Sequence, residues 1–205
     1  MNYLTPLFSV LVAYSSSGQD SNILHQKKHF DLELKEWIKS FESFDLSDFK
    51  ATDTVKFDNN FKQNFNFCSN FLSIYKPIIT YSADNTKFID IYSYQLNLEK
   101  KGSYYEANPD LDQAVFLCDL KTKYWDRIYF GTNSQWIDEV IWISKSTFFL
   151  VGIVKSASEK RIPLLLIGDT KKEKLIKYCN INPNCYQKDN GYSSPKLKRI
   201  KIKGL

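Results

Sequence analysis

The hydrophobic pattern of the chain has a helical period near its beginning. Large apolar residues recur at steps of three and four from Phe30 to Phe44, with charged residues mostly between them. This spacing collects the apolar side chains on one side of a helix. We therefore predict one amphipathic helix over about 30–44, followed by a loop or short irregular elements over about 45–70. Its apolar side consists of Phe30, Leu34, Trp37, Ile38, Phe41 and Phe44.

From Ile74 onward, apolar and polar residues alternate, which is the period of a strand with one buried side. Turn-forming residues separate the alternating stretches. Consecutive strands with short connections favour antiparallel pairing. The pattern predicts a mainly β fold, an antiparallel meander that forms one sheet or a sandwich behind the N-terminal helix. The predicted strands are about 74–82, 88–98, 113–119, 124–130, 138–143, 147–156, 162–168 and 174–179.

A weak internal repeat runs through these strands. Residues 79–91 are similar to 141–153, and each stretch has a strand, a serine-containing turn and a second strand. Residues 115–125 are similar to 165–175, where an apolar strand leads into a turn that begins with Asp and is rich in Lys. A four-strand unit that occurs twice resembles the blades of a β-propeller, although propellers typically have four or more blades. The alternative is two similar meanders in one sheet or sandwich.

The N-terminal segment resembles the processing site of bacterial lipoproteins. Leu4–Ala13 is largely apolar, and Leu11-Val12-Ala13 matches the residues that precede the lipid-carrying cysteine. Tyr14 stands in the cysteine position, so no thioether to lipid can form there. Ala13-Tyr14-Ser15 satisfies the small-x-small rule of ordinary signal-peptide cleavage. The resemblance implies a lipoprotein-like or periplasmic protein of no characterised family. The alternative is an apolar N-terminal element in a cytoplasmic protein.

The predicted domain organisation follows from this resemblance. We expect a signal peptide over 1–15, a flexible serine-rich tether over 16–29 and a single β-rich domain over 30–205. The expected location is extracytoplasmic, in the periplasm, on the outer surface or secreted. The apolar stretch is too short to span a bilayer, so membrane association would require lipidation or a retained signal.

The net charge of +5 is concentrated at the C-terminus. Residues 196–205 contain five basic residues and no acidic one, so the rest of the chain is neutral. A nucleic-acid partner is not expected, because such proteins spread basic residues over a whole face. The alternation instead predicts an edge strand with Leu197, Ile200 and Ile202 inward and lysines outward.

The four cysteines suggest one disulfide and no metal site. Cys179 and Cys185 bracket a turn-rich loop and form a candidate disulfide in an exported protein. Cys68 and Cys118 follow apolar residues and are expected to be small buried side chains. The cysteines lack zinc-finger spacing, and the histidines lie far away near the N-terminus.

No cofactor and no metal are expected elsewhere. His25 and His29 precede the helical pattern beside lysines, which favours exposed, solvated side chains. Asp110 and Asp112 follow a proline but lack the spacing of a calcium loop, so we expect a turn.

The best candidate surface is aromatic. Trp125, Arg127 and Tyr129 share one face of the predicted strand 124–130. Aromatic area with a cation is typical of protein recognition sites. Alternatively, the aromatic rings cover the sheet and the guanidinium reaches water. The candidate binding residues, including those of the long loop 99–112 and the next strand, are Tyr104, Tyr105, Trp125, Arg127, Tyr129 and Trp136.

Three functional hypotheses follow. The favoured one is an extracytoplasmic binding or protein-interaction module whose ligand is an unknown protein or glycan. The second is a periplasmic inhibitor or immunity-type protein. The third is a carboxylate-dependent hydrolase, which requires two acids to meet in a cleft. The enzyme is less favoured because the chain has no nucleophile elbow or phosphate-binding glycine loop. The acids considered are Asp84, Asp90, Asp119, Asp126, Asp138 and Glu139.

Overall fold

The computed structural model describes residues 23–57, 62–64 and 70–204. The helices in these segments are α1 (Lys27–Glu33), α2 (Lys35–Lys39), α3 (Phe71–Tyr75) and α4 (Ser93–Leu96), with 3-10 turns at Leu46–Asp48 and Leu197–Arg199. The strands are β1 (Phe49–Lys56), β2 (Gln63–Asn64), β3 (Thr80–Tyr81), β4 (Lys87–Asp90), β5 (Glu99–Lys101), β6 (Tyr104–Glu106), β7 (Gln113–Asp119), β8 (Tyr124–Gly131), β9 (Gln135–Trp142), β10 (Thr147–Lys155), β11 (Arg161–Asp169), β12 (Lys174–Asn180) and β13 (Ile202–Lys203).

These strands form three sheets. Sheet A has the order β1-β12-β11-β10-β9, and sheet B has the order β2-β8-β7-β4-β3. Sheet C is small, with the order β13-β6-β5. Within sheets A and B every pair is antiparallel. The prediction of a mainly β fold with antiparallel sheets is confirmed.

Sheet A is the middle of three layers. Both of its faces are apolar, and each packs against another layer. On β10, Phe148 and Leu150 point into a core shared with sheet B. The intervening Phe149 and Val151 pack against the helical layer that contains Trp37. Strands buried on both faces read as nearly continuous apolar stretches, as β10 and β11 do. The helical layer, sheet A and sheet B are thus held together by two hydrophobic cores.

The internal repeat corresponds to a structural repeat. The meander β3-β4-β7-β8 lies in sheet B and the meander β9-β10-β11-β12 lies in sheet A. Asp119 and Asp169 begin equivalent turns, since each accepts hydrogen bonds from the backbone N–H groups two and three residues ahead. Lys123 and Glu173 end these turns with positive φ angles of 55° and 49°. In both sheets a fifth strand from the N-terminal part of the chain pairs with the last strand of the meander.

The helical region differs from its prediction. The single helix expected over 30–44 is two helices, α1 and α2, that meet at the non-helical Leu34 (φ −109°, ψ 13°). Ile23 is buried, and residues 27–29 lie in α1, so the last part of the expected tether over 16–29 is folded. The predicted signal peptide, the lipoprotein-like site and the rest of the tether lie outside the described residues. No described helix is long and apolar enough to cross a membrane.

The strand predictions hold best in the second half of the chain. β7 to β12 begin and end within about three residues of the predicted bounds. The predictions 74–82 and 88–98 are only partly correct, because α3 extends into the start of the first and α4 interrupts the second. Asp90 explains why α4 begins here, since its carboxylate accepts hydrogen bonds from the backbone N–H groups of Tyr92 and Ser93.

The chain also contains strands that the sequence did not indicate. β1 lies in the stretch predicted to be irregular, and β5 and β6 form a hairpin within the predicted loop 99–112.

The C-terminal strand β13 lies at the edge of sheet C, where the sequence predicted an edge strand. Leu197, Ile200 and Ile202 pack against the core between the sheets, which confirms their inward direction.

Candidate functional site

A β-bulge in β8 determines which side chains share a face of sheet B. Tyr129 pairs with Val115, whereas Arg127 pairs with Phe116, the next residue of β7. Ile128 is therefore an extra residue without a partner in the ladder. Such a bulge reverses the faces of all residues beyond it relative to strict alternation. The faces that the sequence predicts for this strand are consequently correct on only one side of the bulge.

The predicted aromatic face is divided by this bulge. Trp125 and Arg127 lie on the outer face of sheet B together with Phe130, which alternation had placed on the other side. Tyr129 faces sheet A instead, and its hydroxyl is buried with no hydrogen-bond partner among the described residues. Burial raises the pKa of this hydroxyl. Tyr129 therefore belongs to the interior between the sheets.

The other predicted binding residues also lie apart. Trp125 is only 8% exposed, and its ring stacks on Phe116 with centroids 4.7 Å apart. Trp136 lies on sheet A, where the Arg161 guanidinium is 5.8 Å from its ring centroid. In sheet C the Lys203 ammonium lies 4.0 Å above the Tyr104 ring, and Tyr105 packs against the core. The six residues do not form one surface, and only Arg127 reaches the site described next.

An exposed aromatic patch lies at the end of sheet B. The Tyr94 and Phe130 rings meet edge to face with centroids 6.1 Å apart. The Arg127 guanidinium carbon lies 5.1 Å from the Phe130 centroid, a cation–π distance. Tyr94 is 41% exposed, Phe130 38% and Leu111 81%. We call Tyr94, Leu111, Arg127 and Phe130 the aromatic patch.

A groove of about 460 Å³ adjoins the patch. The Asn108 N–H donates to the Leu96 carbonyl at 3.0 Å, and the Asp110 N–H donates to the Gln95 carbonyl at 2.8 Å. These two bonds fix the loop 108–111 against the end of α4. Asn97 ends this helix in the left-handed conformation (φ 41°), which asparagine tolerates better than most residues. The groove is lined by Tyr94, Asn97, Asn108, Pro109, Asp110 and Leu111.

The sequence contains little that would have revealed this groove. Tyr94 and Asn97 fall in a stretch predicted to be a strand, and only the helical turn of α4 brings them to the loop. The Asn108-Pro109-Asp110 turn was recognisable. As predicted, Asp110 and Asp112 form a turn, since the Asp110 carboxylate accepts the Asp112 N–H at 3.1 Å.

No protein-family model, no curated protein and no solved structure matches this chain. The function must therefore be argued from the side chains that the fold brings together. Among the described residues, no group of three or more His, Cys, Asp or Glu side chains is arranged to hold a metal ion.

Two of the predicted acids line the same cleft. Asp119 and Asp126 line a cleft of about 140 Å³ between sheets A and B, together with Glu173. Lys87 pairs with Asp119 at 3.1 Å. One carboxylate oxygen of Asp126 is buried without a hydrogen-bond partner among the described residues. The remaining charged side chain of the lining is Lys62.

The two aspartates of the cleft have opposite pKa shifts. Burial raises the pKa of Asp126, and the Glu173 and Asp119 charges raise it further against the effect of Lys62. Burial also acts on Asp119, but the Thr122 backbone hydrogen bond and the Lys87 ammonium outweigh it and lower its pKa. A pair of carboxyl groups with diverging pKa values can divide the roles of acid and base.

The other acids have structural roles. Asp84 accepts hydrogen bonds from Ser82 and Thr86, and these bonds lower its pKa to about 2. Asp90 is fully buried at the start of α4, where burial raises its pKa. Asp138 and Glu139 belong to a polar network on β9. In that network the Trp37 indole N–H donates to Asp138 at 3.0 Å.

The structure does not contain the predicted disulfide. Cys179 and Cys185 are both free thiols. Burial raises the pKa of the Cys185 thiol to about 12, which keeps it protonated and unreactive. Cys118 is buried as a small side chain in the core. Cys68 lies outside the described residues.

Proposed function

We propose that the protein is an extracytoplasmic binding module whose ligand contacts the aromatic patch. The single observation that supports this proposal is the exposed Tyr94–Phe130 ring pair, with the Arg127 guanidinium over the Phe130 ring. Tyrosine and arginine dominate the energetics of binding sites, because each combines apolar area with directed hydrogen bonds. Contiguous exposed apolar side chains are uncommon on soluble proteins unless they bind something. The extracytoplasmic location rests on the lipoprotein-like N-terminus.

The rigidity of the patch also favours binding. Phe130 lies on β8, where it pairs with Ala114 of β7, and Tyr94 is held by α4, whose start is fixed by the buried Asp90. Side chains on regular elements lose little conformational entropy when a ligand binds. A rigid aromatic surface is therefore better suited to recognition than the same side chains on a mobile loop would be.

Replacing Phe130 or Tyr94 by Ala should weaken ligand retention at least tenfold, because each substitution removes an anchor of the patch. The immobilised protein and its variants would be compared for what they retain from the cell-surface fraction of the source cells. Tyr124→Ala is the matched control, since Tyr124 is a tyrosine of similar exposure on the same strand but outside the patch. Equal retention by all variants would exclude the patch as the binding surface.

A second candidate function is a carboxylate-dependent hydrolase at the cleft between the sheets. The observation that favours it is the pair of opposite pKa shifts at Asp119 and Asp126. In this proposal Asp126 donates a proton to the leaving group and Asp119 acts as the base. The ammonium groups of Lys62 and Lys87 would compensate negative charge that develops on a substrate.

If this second candidate is correct, Asp126→Asn should lower the hydrolysis rate at least tenfold, because a neutral amide cannot donate the proton. Rates would be measured on nitrophenyl glycosides and nitrophenyl esters, with Asp189→Asn as an exposed control outside both the cleft and the groove. A wild-type protein without activity on either substrate class, or an unchanged rate in Asp126→Asn, would contradict the enzyme hypothesis.

A further inference from the structure

We infer that the groove beside the aromatic patch binds a neutral oligosaccharide. This inference rests on the proposed binding function and assigns the class of its ligand. The groove combines one exposed ring, Tyr94, with the amide side chains of Asn97 and Asn108. The side chains that line the groove, rather than its size alone, indicate the chemical class of the ligand.

The polar groups of the groove complement hydroxyl groups. An asparagine side chain offers two donors and one acceptor at neighbouring positions. A sugar hydroxyl donates one hydrogen bond and accepts others, so adjacent hydroxyls match an amide in both directions. Asn97 and Asn108 are both exposed and line the same groove, which places two such amides around a ligand.

The apolar groups of the groove complement the other face of a sugar ring. Tyr94 and Leu111 are the large exposed apolar side chains of the lining. Small-molecule sites typically pair aromatic surface with a few placed polar groups in a volume of about 300–1,000 Å³, and the groove lies within that range. A pyranose has apolar C–H faces and a polar rim, and therefore fits this division.

The charges favour a neutral ligand. Asp110 is the only charged residue among the described residues of the groove lining, and the adjoining patch adds one cation, Arg127, so neither sign of charge predominates. A phosphorylated or nucleic-acid ligand would require a surplus of basic residues. The basic C-terminal residues do not line the groove.

A peptide ligand is less compatible with the walls of the groove. One recurring mode of peptide recognition adds an extended peptide to an exposed sheet edge through backbone hydrogen bonds. This groove is bounded by the end of α4 and by the loop 108–111, whose backbone N–H groups at 108 and 110 already donate to the helix. The recognition available here comes from side chains, which suits a glycan.

The test uses a panel of neutral oligosaccharides as probes, namely the hexaoses of glucose, xylose, mannose and N-acetylglucosamine. Binding to the full chain would be measured by saturation-transfer NMR and calorimetry. Asn97→Gly keeps the left-handed backbone but removes the amide, and Asn108→Ala removes the second amide. Each variant should weaken binding of the recognised sugar at least tenfold, and Tyr94→Ala should do the same, whereas Asn184→Ala in a remote exposed loop should not.

The outcomes separate this inference from the proposed function. If Phe130→Ala loses retained material but none of the probes binds, the patch is a binding surface and the glycan inference is wrong. Retained material that survives periodate oxidation but not protease treatment would identify a peptide ligand and overturn the inference. If neither probes nor cell-surface material depends on the patch, the proposed function itself fails. A probe that binds equally to wild type and Asn108→Ala also contradicts the groove assignment.

Discussion

Replacing Lys196 by Met should lower the free energy of unfolding by about 3–5 kcal/mol at neutral pH. The Lys196 ammonium lies 2.5 Å from a Glu139 carboxylate oxygen, and the Glu139 side chain is only 6% exposed. Removing the ammonium leaves a buried carboxylate without its counter-charge. An uncompensated buried charge is among the most destabilising changes that a single substitution makes.

The network around Glu139 explains why the carboxylate cannot escape to water. Its other oxygen accepts hydrogen bonds from the Tyr192 hydroxyl at 3.0 Å and from the Ser194 hydroxyl. The Tyr92 hydroxyl donates in turn to Ser194 at 2.9 Å. These contacts join the C-terminal segment to β9 and to the residues before α4. Loss of the Lys196 ammonium therefore destabilises several parts of the fold at once.

The measurement is urea denaturation of Lys196→Met, Glu139→Gln and the double variant. Removing both charges should restore at least half of the lost stability, because no unpaired charge then stays buried. Lys198→Met is the matched control, since Lys198 is exposed two residues away and its loss should change stability by no more than about 0.5 kcal/mol. Equal effects at positions 196 and 198 would contradict the role of the ion pair.

As the pH rises from about 4 to about 7, the free energy of unfolding of the wild-type protein should fall by about 3 kcal/mol relative to that of the Asp138→Asn variant. Burial raises the pKa of Asp138 to about 7, and the Glu139 charge raises it while the Trp37 hydrogen bond lowers it. Asp138 is the extra residue of a bulge in β9, which directs its side chain to the indole of Trp37.

The direction of this change in stability with pH follows from proton binding. In the unfolded chain this carboxyl group ionises near pH 4, whereas in the folded protein it holds its proton up to about pH 7. The folded state therefore binds more protons in this interval, and raising the pH favours unfolding by up to about 1.4 kcal/mol per pH unit. Asparagine has no proton to lose, so it removes this dependence.

Stability would be measured by denaturant titration of both proteins at half-unit pH steps. The quantity of interest is the difference between wild type and Asp138→Asn, because titrating groups that do not interact with Asp138 cancel in it. As the pH rises, the asparagine variant is expected to become increasingly more stable than the wild-type protein. A difference that is constant between pH 4 and pH 7, or that changes in the opposite direction, would contradict the raised pKa.

The second half of the fold could be predicted because each strand there has its own alternation and its own turn. In β7 to β12, turn residues such as Asp119 and Asp169 fix where one strand ends and the next begins. The short helices α3 and α4 could not be predicted, because four or five residues are too few to show a helical period. β1 was missed because most of its residues are exposed and polar.

The site was less predictable than the fold. Arg127 is the one predicted binding residue that lies beside the proposed patch, whereas alternation placed Phe130 on the wrong face. No residue type marks the bulge at Ile128, since it arises from how β7 and β8 pair rather than from local preference. Tyr94 and Leu111 are brought to the same groove by the tertiary structure, which alternation along one strand does not show.

Sheet A joins strands from opposite ends of the chain. β1 pairs along its length with β12, so that Phe49 lies opposite Asn180, about 130 residues later. Contacts between such distant residues form slowly, because bringing them together costs the entropy of closing a long loop. β1 has no partner in the sheet until β12 has been synthesised. Sheet A of a nascent chain therefore remains incomplete until its last strand, β12, has emerged.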